Sequence, residues 1–172
     1  INTLVFSENG KMTGCSTDGI GFFRALESEN GVVNGKKLCL MGLGGAGKAI
    51  LSRAVYTEIS EIRLLQRASS IEKNRAFIEK VERETGKQIL LGSYEENLAE
   101  FLEESDILVN STNVGMGAEA SLIPDIKLLH KGMFVADCIY HPFETKLLSQ
   151  AKEEELSYMN GLPMLFYQAA EA

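Results

Sequence analysis

The pattern of apolar and polar positions changes near Lys37. From there on, short apolar runs alternate with longer stretches in which apolar side chains recur every three or four positions. Short apolar runs are typical of buried strands, and the longer spacing is typical of amphipathic helices. Strands that alternate with helices in this way pair in parallel through right-handed crossovers.

Six strands are predicted, over residues 38–41, 62–66, 88–91, 107–110, 134–137 and, more weakly, 157–159. Helices are predicted over residues 44–56, 70–84, 94–103 and 143–154, and a last helix begins at Met164. The predicted fold class is therefore α/β: a Rossmann-like, doubly wound, mainly parallel sheet of about six strands.

The N-terminal residues follow another pattern. The β-prone run 3–6 is followed by Asn9 and Gly10, a pair that favours a tight hairpin turn. After Asp18, apolar residues return at helical spacing. A helix is predicted to begin there, and Asp18 is a candidate for its N-terminal cap.

A glycine-rich segment joins the first predicted strand of the alternating part to its helix. Gly42, Gly44 and Gly47 satisfy the pattern G-x-G-x-x-G. They follow a predicted strand and open a predicted helix, which is the context in which this pattern binds a dinucleotide. The first glycine permits the tight turn, the second lets the backbone approach a pyrophosphate, and the third lets helix and strand pack closely. The alternative is a strand-to-helix turn that binds nothing.

The end of the second predicted strand indicates which dinucleotide is bound. An NAD site usually has an acid there, but Glu58 and Glu61 precede this strand, and Gln66 and Arg67 stand at its end. An arginine forms charge-assisted hydrogen bonds with a 2′-phosphate. NADP is therefore favoured over NAD, with a solvated surface role of Arg67 as the alternative.

Composition limits the classes of partner. Seventeen basic and 24 acidic residues give a net charge of −7, which argues against a nucleic-acid partner. No apolar run approaches the ~20 residues that span a bilayer, so no membrane partner is expected. Cys15, Cys39 and Cys138 lie far apart and indicate reduced thiols of a cytoplasmic protein, with neither a disulfide framework nor a metal site. Because the chain begins at Ile1, we expect it to be part of a longer protein.

An ordered set of segments across nearly the whole chain matches the motifs of one enzyme family. Asn2-Thr3 and residues 14–19 resemble its "NT … GxNTDG", and residues 42–46 its "GAGGA". Residues 66–68 stand where the family carries "NRT", and residues 110–116 look like "NATPxGM". Residues 137–148 look like "DxxYxPxxTxLL", and residues 161–169 like "GxxMLvxQA". In these segments the chain resembles the shikimate dehydrogenases.

The resemblance implies the reversible reduction of 3-dehydroshikimate to shikimate with NADPH, in the shikimate pathway of aromatic amino acid biosynthesis. It also implies that the family's N-terminal domain, with the lysine thought to act in proton transfer, is missing from this chain. Residues 1–18 are then a remnant of the substrate-binding domain with a hairpin, and residues 19–160 the NADP-binding Rossmann domain. Residues 161–172 begin a C-terminal helix that packs back toward the substrate domain.

The resemblance also assigns site residues. Asp18 is the candidate catalytic residue, as partner of the missing lysine. The candidate substrate-binding residues, toward shikimate or 3-dehydroshikimate, are Asn2, Tyr140 and Gln168. The candidate NADP-binding residues are Gly42, Leu43, Gly44, Gly45, Ala46, Gly47, Gln66, Arg67, Ala68, Thr112, Cys138, Gly161 and Met164.

Several alternatives stay open. Ser16 replaces the usual Asn of "NTDG", and Gln66 and Ala68 replace two small polar residues of "NRT", so the NADP preference is not fixed by the motif. An NAD-dependent quinate/shikimate dehydrogenase is one alternative, and a non-catalytic dinucleotide-binding module is another. The sequence does not decide between a monomer and a homodimer.

Overall fold

The computed structural model describes residues 1–117 and 119–172. Two short strands, β1 (Thr3–Phe6) and β2 (Met12–Cys15), precede helix α1 (Asp18–Ser28). The alternating part follows, with β3 (Lys37–Met41), α2 (Gly45–Ala54), β4 (Glu61–Gln66), α3 (Ala68–Thr85), β5 (Ile89–Ser93), α4 (Tyr94–Glu103), β6 (Ile107–Asn110), β7 (Phe134–Asp137), α5 (Lys146–Glu153), β8 (Ser157–Met159) and α6 (Gly161–Glu171).

The six strands β3 to β8 form one sheet in the order β5-β4-β3-β6-β7-β8, and every pair in it is parallel. After β3, the chain adds β4 and β5 toward one edge of the sheet. It then returns to the other side of β3 with β6 and adds β7 and β8 toward the second edge. This reversal creates a crevice at the carboxyl ends of β3 and β6, where open α/β sheets bind ligands. The predicted doubly wound parallel sheet is confirmed.

Alternate residues of each strand supply two separate cores. Leu38 and Leu40 of β3 face the core that α1, α2, α3 and α6 cover. Cys39 and Met41 face the opposite core, which is covered by α4 and α5. Because both faces of the sheet are buried, the strands read as continuous apolar runs, which explains why they were visible in the sequence.

The N-terminal hairpin stands apart from this sheet. β1 and β2 pair antiparallel with Thr3 opposite Cys15, and Gly10 takes a φ of 77° in the turn, so the predicted hairpin is confirmed. Its apolar side chains are exposed, and Phe6 keeps 69% of its accessible surface.

Helices α1 and α6 pack closely against each other. A Cβ at Gly21 would lie 2.6 Å from the backbone nitrogen of Gln168, so a glycine is required at this crossing. Arg24 and Glu171 form an ion pair of 2.8 Å at its edge. The two ends of the chain therefore meet on one face of the sheet.

The predicted cap of α1 is wrong. Thr17 occupies the N-cap position, and Asp18 is the first helical residue. The Asp18 carboxylate accepts a hydrogen bond of 2.7 Å from Asn2 Nδ2, on the hairpin side. Long-range pairing with Asn2 thus replaces the local capping that the sequence suggested.

Three helix starts lie two or three residues from the predicted ones. α3 begins at Ala68, directly after β4. α5 begins only at Lys146, because the Thr145 side chain caps it by accepting from the Leu148 amide. α6 begins at Gly161, with Asn160 as its cap, so Pro163 lies in the first turn, where a missing N–H costs nothing. None of the described helices combines the length and the apolar composition that crossing a membrane requires.

Candidate functional site

A different structural requirement accounts for glycine at each of the three motif positions. Gly42 has a φ of +89°, a conformation that side chains disfavour. A Cβ at Gly47 would lie 2.6 Å from both Gly42 O and Ser111 Oγ, so α2 packs tightly on the turn. A Cβ at Gly44 would meet nothing within 4 Å. The open side of the turn at Gly44 is therefore where a ligand's phosphates can approach the backbone.

Ser111, which directly follows β6, forms hydrogen bonds to the glycine turn at the end of β3. Its hydroxyl donates to Met41 O at 2.8 Å and lies 3.1 Å from Gly42 O, and its amide donates to Met41 O at 2.9 Å. The carboxyl ends of β3 and β6 are thus held together at the sheet reversal. The sequence analysis did not single out Ser111.

A buried polar network supports the loops after β6 and β7. Asp137 accepts hydrogen bonds from Asn110 Nδ2 at 3.1 Å, Thr145 Oγ1 at 2.7 Å and the Ile139 amide at 3.0 Å. Asn110 Oδ1 in turn accepts from the Thr112 hydroxyl at 2.7 Å. Burial raises the pKa of Asp137, although these three donors oppose the shift. The network fixes the backbone around Thr112, a predicted cofactor contact.

A cleft of about 640 Å³ opens over the glycine turn. It runs from the turn across the end of β4 to the start of α4, and it has Lys48, Arg67 and Lys73 in its walls. No carboxylate is among the described residues that line it. In a chain with a net charge of −7, this concentration of cations favours an anionic ligand.

The far end of the cleft holds polar atoms without partners. Gln66 is 2% exposed, and its Nε2 has no hydrogen-bond partner among the described residues. The buried hydroxyl of Tyr94 is likewise unpartnered, and burial raises its pKa. Buried polar groups are normally paired, so Gln66 and Tyr94, which both line the cleft, are candidates for hydrogen bonds to a ligand.

Glu95 is a residue that the sequence analysis missed. Gln66 pairs with Ser93 across β4 and β5, so the residues that follow each strand lie side by side. Glu95 Oε2 accepts a hydrogen bond of 3.4 Å from the Ala68 amide, at the start of α3. An exposed carboxylate therefore stands next to the Arg67 end of the cleft, although the end of β4 itself carries no acid.

A second cluster lies at the start of α1. Asn2 Nδ2 donates to Thr17 Oγ1 at 2.9 Å and to Asp18 Oδ1 at 2.7 Å, and Asn2 Oδ1 accepts from the Thr17 amide. Thr17 Oγ1 donates to Gln168 O at 2.8 Å. The structure thus brings the candidate catalytic residue Asp18 together with two candidate substrate-binding residues, Asn2 through its side chain and Gln168 through its backbone carbonyl.

The remaining predicted residues are more dispersed. Cys138 lies near this second cluster: burial raises its pKa, and the charges of Asp137 and Asp18 act in the same direction. Gly161 packs on it, since a Cβ there would lie 2.2 Å from Cys138 O. Met164 is buried in the core beside α1, and Ala46 packs against the same core. Tyr140 is half exposed.

Comparison with known proteins fits this geometry. No family model matches the chain. The chain is 43% identical over 175 residues to the shikimate dehydrogenase (NADP(+)) of Streptococcus pneumoniae strain JJA, a match that covers 100% of the chain and 60% of that relative. The structure of shikimate 5-dehydrogenase from Listeria monocytogenes, in complex with shikimate and NAD, matches with a TM-score of 0.93 and 34% identity, over 99% of this chain and 61% of that one.

In sequence and fold, the chain corresponds to the C-terminal, nucleotide-binding portion of a shikimate dehydrogenase. It spans about 60% of the length of the S. pneumoniae relative. Quinate dehydrogenase from Corynebacterium glutamicum, in complex with NAD, is also similar, with a TM-score of 0.87 and 25% identity over 100% of this chain and 60% of that one. Both solved structures are in complex with NAD, whereas the name of the S. pneumoniae relative specifies NADP(+).

Proposed function

We propose that this chain binds NADP(H) in the cleft over the glycine turn. The observation that carries the proposal is the cationic wall of the cleft, with Lys48, Arg67 and Lys73 and no lining carboxylate among the described residues. The open backbone at Gly44 suits the pyrophosphate, and Arg67 and Lys73 suit a 2′-phosphate. The name of the S. pneumoniae relative, which specifies NADP(+), supports the same choice.

The residues of the cleft fit such a cofactor. The unpartnered Gln66 Nε2 and Tyr94 hydroxyl provide hydrogen-bonding groups at one end, and Thr112 stands at the other, beyond the sheet reversal. When bound, the nicotinamide ring supplies the hydride for reduction of a carbonyl group. The chain's own contribution is to hold the dinucleotide across the carboxyl ends of the strands.

We propose further that the full-length protein interconverts 3-dehydroshikimate and shikimate. Asn2 and Gln168 donate and accept hydrogen bonds, which suits a polyhydroxylated acid, and Tyr140 offers an exposed phenol. Asp18, oriented by Asn2, is positioned to support a proton-transferring lysine from the N-terminal domain. The support for these roles is the family resemblance of the segments together with the contacts at the start of α1.

The domain assignment remains part of this proposal. Residues 1–18 belong with the substrate-binding domain, residues 19–160 form the NADP-binding domain, and residues 161–172 lie against α1 at the boundary. The apolar residues of the hairpin support this, since Leu4, Phe6 and Met12 are exposed and suit a partner surface from the N-terminal domain.

A second candidate is an NAD-dependent enzyme that accepts shikimate or quinate. The observation that favours it is Glu95, whose carboxylate stands at the Ala68 amide, where an acid can bind the ribose hydroxyls and repel a 2′-phosphate. The Listeria and Corynebacterium structures, both in complex with NAD, are consistent with this candidate. Against it, Glu95 is exposed and its bond to the amide is long, whereas Arg67 and Lys73 line the cleft.

Calorimetry on the purified chain tests the choice. We expect NADP to bind more tightly than NAD, and Arg67→Ala to reduce the difference by about tenfold, the value of a charge-assisted hydrogen bond. Arg83→Ala is the matched control, because Arg83 lies in the last turn of α3, at the opposite end of that helix from Arg67, and does not line the cleft. Equal affinities in the unaltered chain would contradict the NADP proposal, and tighter binding of NAD would favour the second candidate.

A further inference from the structure

The Gln66 side chain makes one hydrogen bond within the described part of the chain. Its carbonyl oxygen Oε1 accepts a hydrogen bond from Asn74 Nδ2, one and a half turns into α3. Asn74 is 8% exposed and lines the same cleft. It is a buried amide in a charged helix, where a hydrophobic residue would be the ordinary occupant.

The orientation of both amides follows from a backbone group. Asn74 Nδ2 also lies 3.3 Å from the carbonyl oxygen of Ser70, four residues earlier in α3. A backbone carbonyl only accepts hydrogen bonds, so the Asn74 atom that faces it must be the NH₂ group. The same NH₂ group faces Gln66, so the Gln66 atom there must be the oxygen. Gln66 Nε2 is consequently the free end: it is a buried atom without a partner among the described residues, in a residue that lines the cleft.

We propose that Asn74 is a positioning residue that turns the Gln66 amide so that its NH₂ donor, and not its oxygen, is offered to the dinucleotide. This inference rests on the proposed NADP binding and deepens it. A phosphate group carries only acceptor oxygens when it is ionised, whereas a ribose hydroxyl both donates and accepts. A fixed donor beside Arg67 therefore favours a 2′-phosphate over a 2′-hydroxyl.

Without Asn74 the Gln66 amide can rotate and present either edge. A donor and an acceptor then alternate at the same place, and the oxygen edge repels a phosphate. Asn74 therefore contributes to the discrimination between NADP and NAD through Gln66, without itself contacting either ligand.

Calorimetric titration of the chain with NADP and with NAD tests the proposal. Asn74→Leu has nearly the same shape and carries no donor, so it should weaken NADP binding about tenfold and NAD binding less than about threefold. Gln66→Leu should weaken NADP binding by a similar factor. In the Gln66→Leu background, Asn74→Leu should have no further effect, because Asn74 acts only through Gln66.

The ratio of the NADP and NAD affinities distinguishes this positioning role from a merely structural one. If Asn74→Leu does not fold, Asn74→Ala removes the same donor in a residue with high helix propensity. Equal weakening of NADP and NAD binding, or a full effect of the Asn74 substitution in the Gln66→Leu background, would overturn the inference. A chain that binds neither dinucleotide would instead refute the proposed function, and equal binding of both would remove the preference on which the inference rests.

Discussion

The hydroxyl of Thr17 donates a hydrogen bond of 2.8 Å to the backbone carbonyl of Gln168, although the two residues are 151 positions apart. The same hydroxyl accepts from Asn2 Nδ2, which also holds Asp18. Contact between α1 and α6 therefore fixes the geometry of the cluster around Asp18. The proposed substrate residues depend on a helix pair that lies outside the glycine turn.

The first prediction concerns Asp18 in the full-length protein. Asp18→Asn keeps the shape and can still accept from Asn2, but it removes the charge that supports a proton-transferring lysine. Since general acid–base assistance is typically worth ~10²–10⁴-fold, kcat with shikimate and NADP should fall at least about tenfold, with the Kd for NADP unchanged. Steady-state kinetics and thermal unfolding check this. An unchanged kcat with a lower Tm would show that Asp18 serves the fold alone. The 172-residue chain on its own should not turn over shikimate.

The second prediction separates the packing of the glycine turn from its ligand contact. Gly47→Ala places a Cβ 2.6 Å from Gly42 O, and such overpacking costs ~1–3 kcal/mol, so its Tm should fall by at least ~3 °C. Gly44→Ala meets nothing within 4 Å, so its Tm should stay near that of the unaltered chain. It should nevertheless weaken NADP binding at least about tenfold, because the added methyl group blocks the approach of the pyrophosphate. Normal NADP binding by Gly44→Ala would place the phosphates elsewhere.

The third prediction concerns the acid at the Arg67 end of the cleft. Glu95→Gln removes a negative charge beside the Ala68 amide, so NADP binding should tighten about threefold or more while NAD binding changes less. The gain should shrink at high ionic strength, because exposed charges are screened. Glu96→Gln is the matched control, a neighbouring exposed carboxylate in the first turn of α4, whereas the hydrogen bond from the Ala68 amide goes to Glu95. Identical effects of both substitutions would indicate a general charge effect.

The fourth prediction concerns acid stability. Burial acts to raise the pKa of Asp106, but hydrogen bonds from Lys36 Nζ at 2.9 Å and from the Lys37 amide at 2.8 Å outweigh it, so the pKa lies below its ordinary value. A carboxyl group with a lowered pKa in the folded state stabilises the fold at neutral pH. That contribution is lost as the pH falls from about 4, the unfolded value, through the folded pKa.

Asp106→Asn cannot titrate, so the Tm advantage of the unaltered chain over this variant should be largest near pH 7 and should shrink by at least about half near pH 3. Thermal unfolding at a series of pH values measures it. Glu153→Gln is the control, an exposed carboxylate of α5 without an ion pair within residues 1–117 and 119–172. A Tm difference between Asp106→Asn and the unaltered chain that stays constant from pH 7 to pH 3 would contradict the prediction.

The sequence predicted the sheet well because its strands are buried on both faces. β6, β7 and β8 were placed with the bounds that the structure shows, as was α4, and the glycine turn lies where the motif put it. These features depend on apolar runs and local turn geometry, which a sequence displays directly. The helix starts were less accurate, because Thr145 and Asn160 cap at positions that only the tertiary path decides.

The sequence did not reveal the residues that neighbouring elements bring into the cleft or next to it. Tyr94 and Glu95 come next to Arg67 only through the parallel register of β4 and β5. Asn74 reads as one polar residue among many on a charged helix, and its role depends on burial against Gln66. The sequence predicted a local cap at Asp18. It did not show the contact with Asn2, because the two residues lie 16 positions apart, on either side of the hairpin.

The exposed hairpin has a consequence for how the chain behaves alone. Within residues 1–117 and 119–172, β1 and β2 pair only with each other, so each leaves one edge of backbone amides and carbonyls unpaired there, with Leu4, Val5 and Phe6 beside it. Unprotected edge strands of this kind recruit further strands from other molecules. We therefore expect self-association of the chain to rise with its concentration, and charged substitutions at Val5 or Phe6 to suppress it.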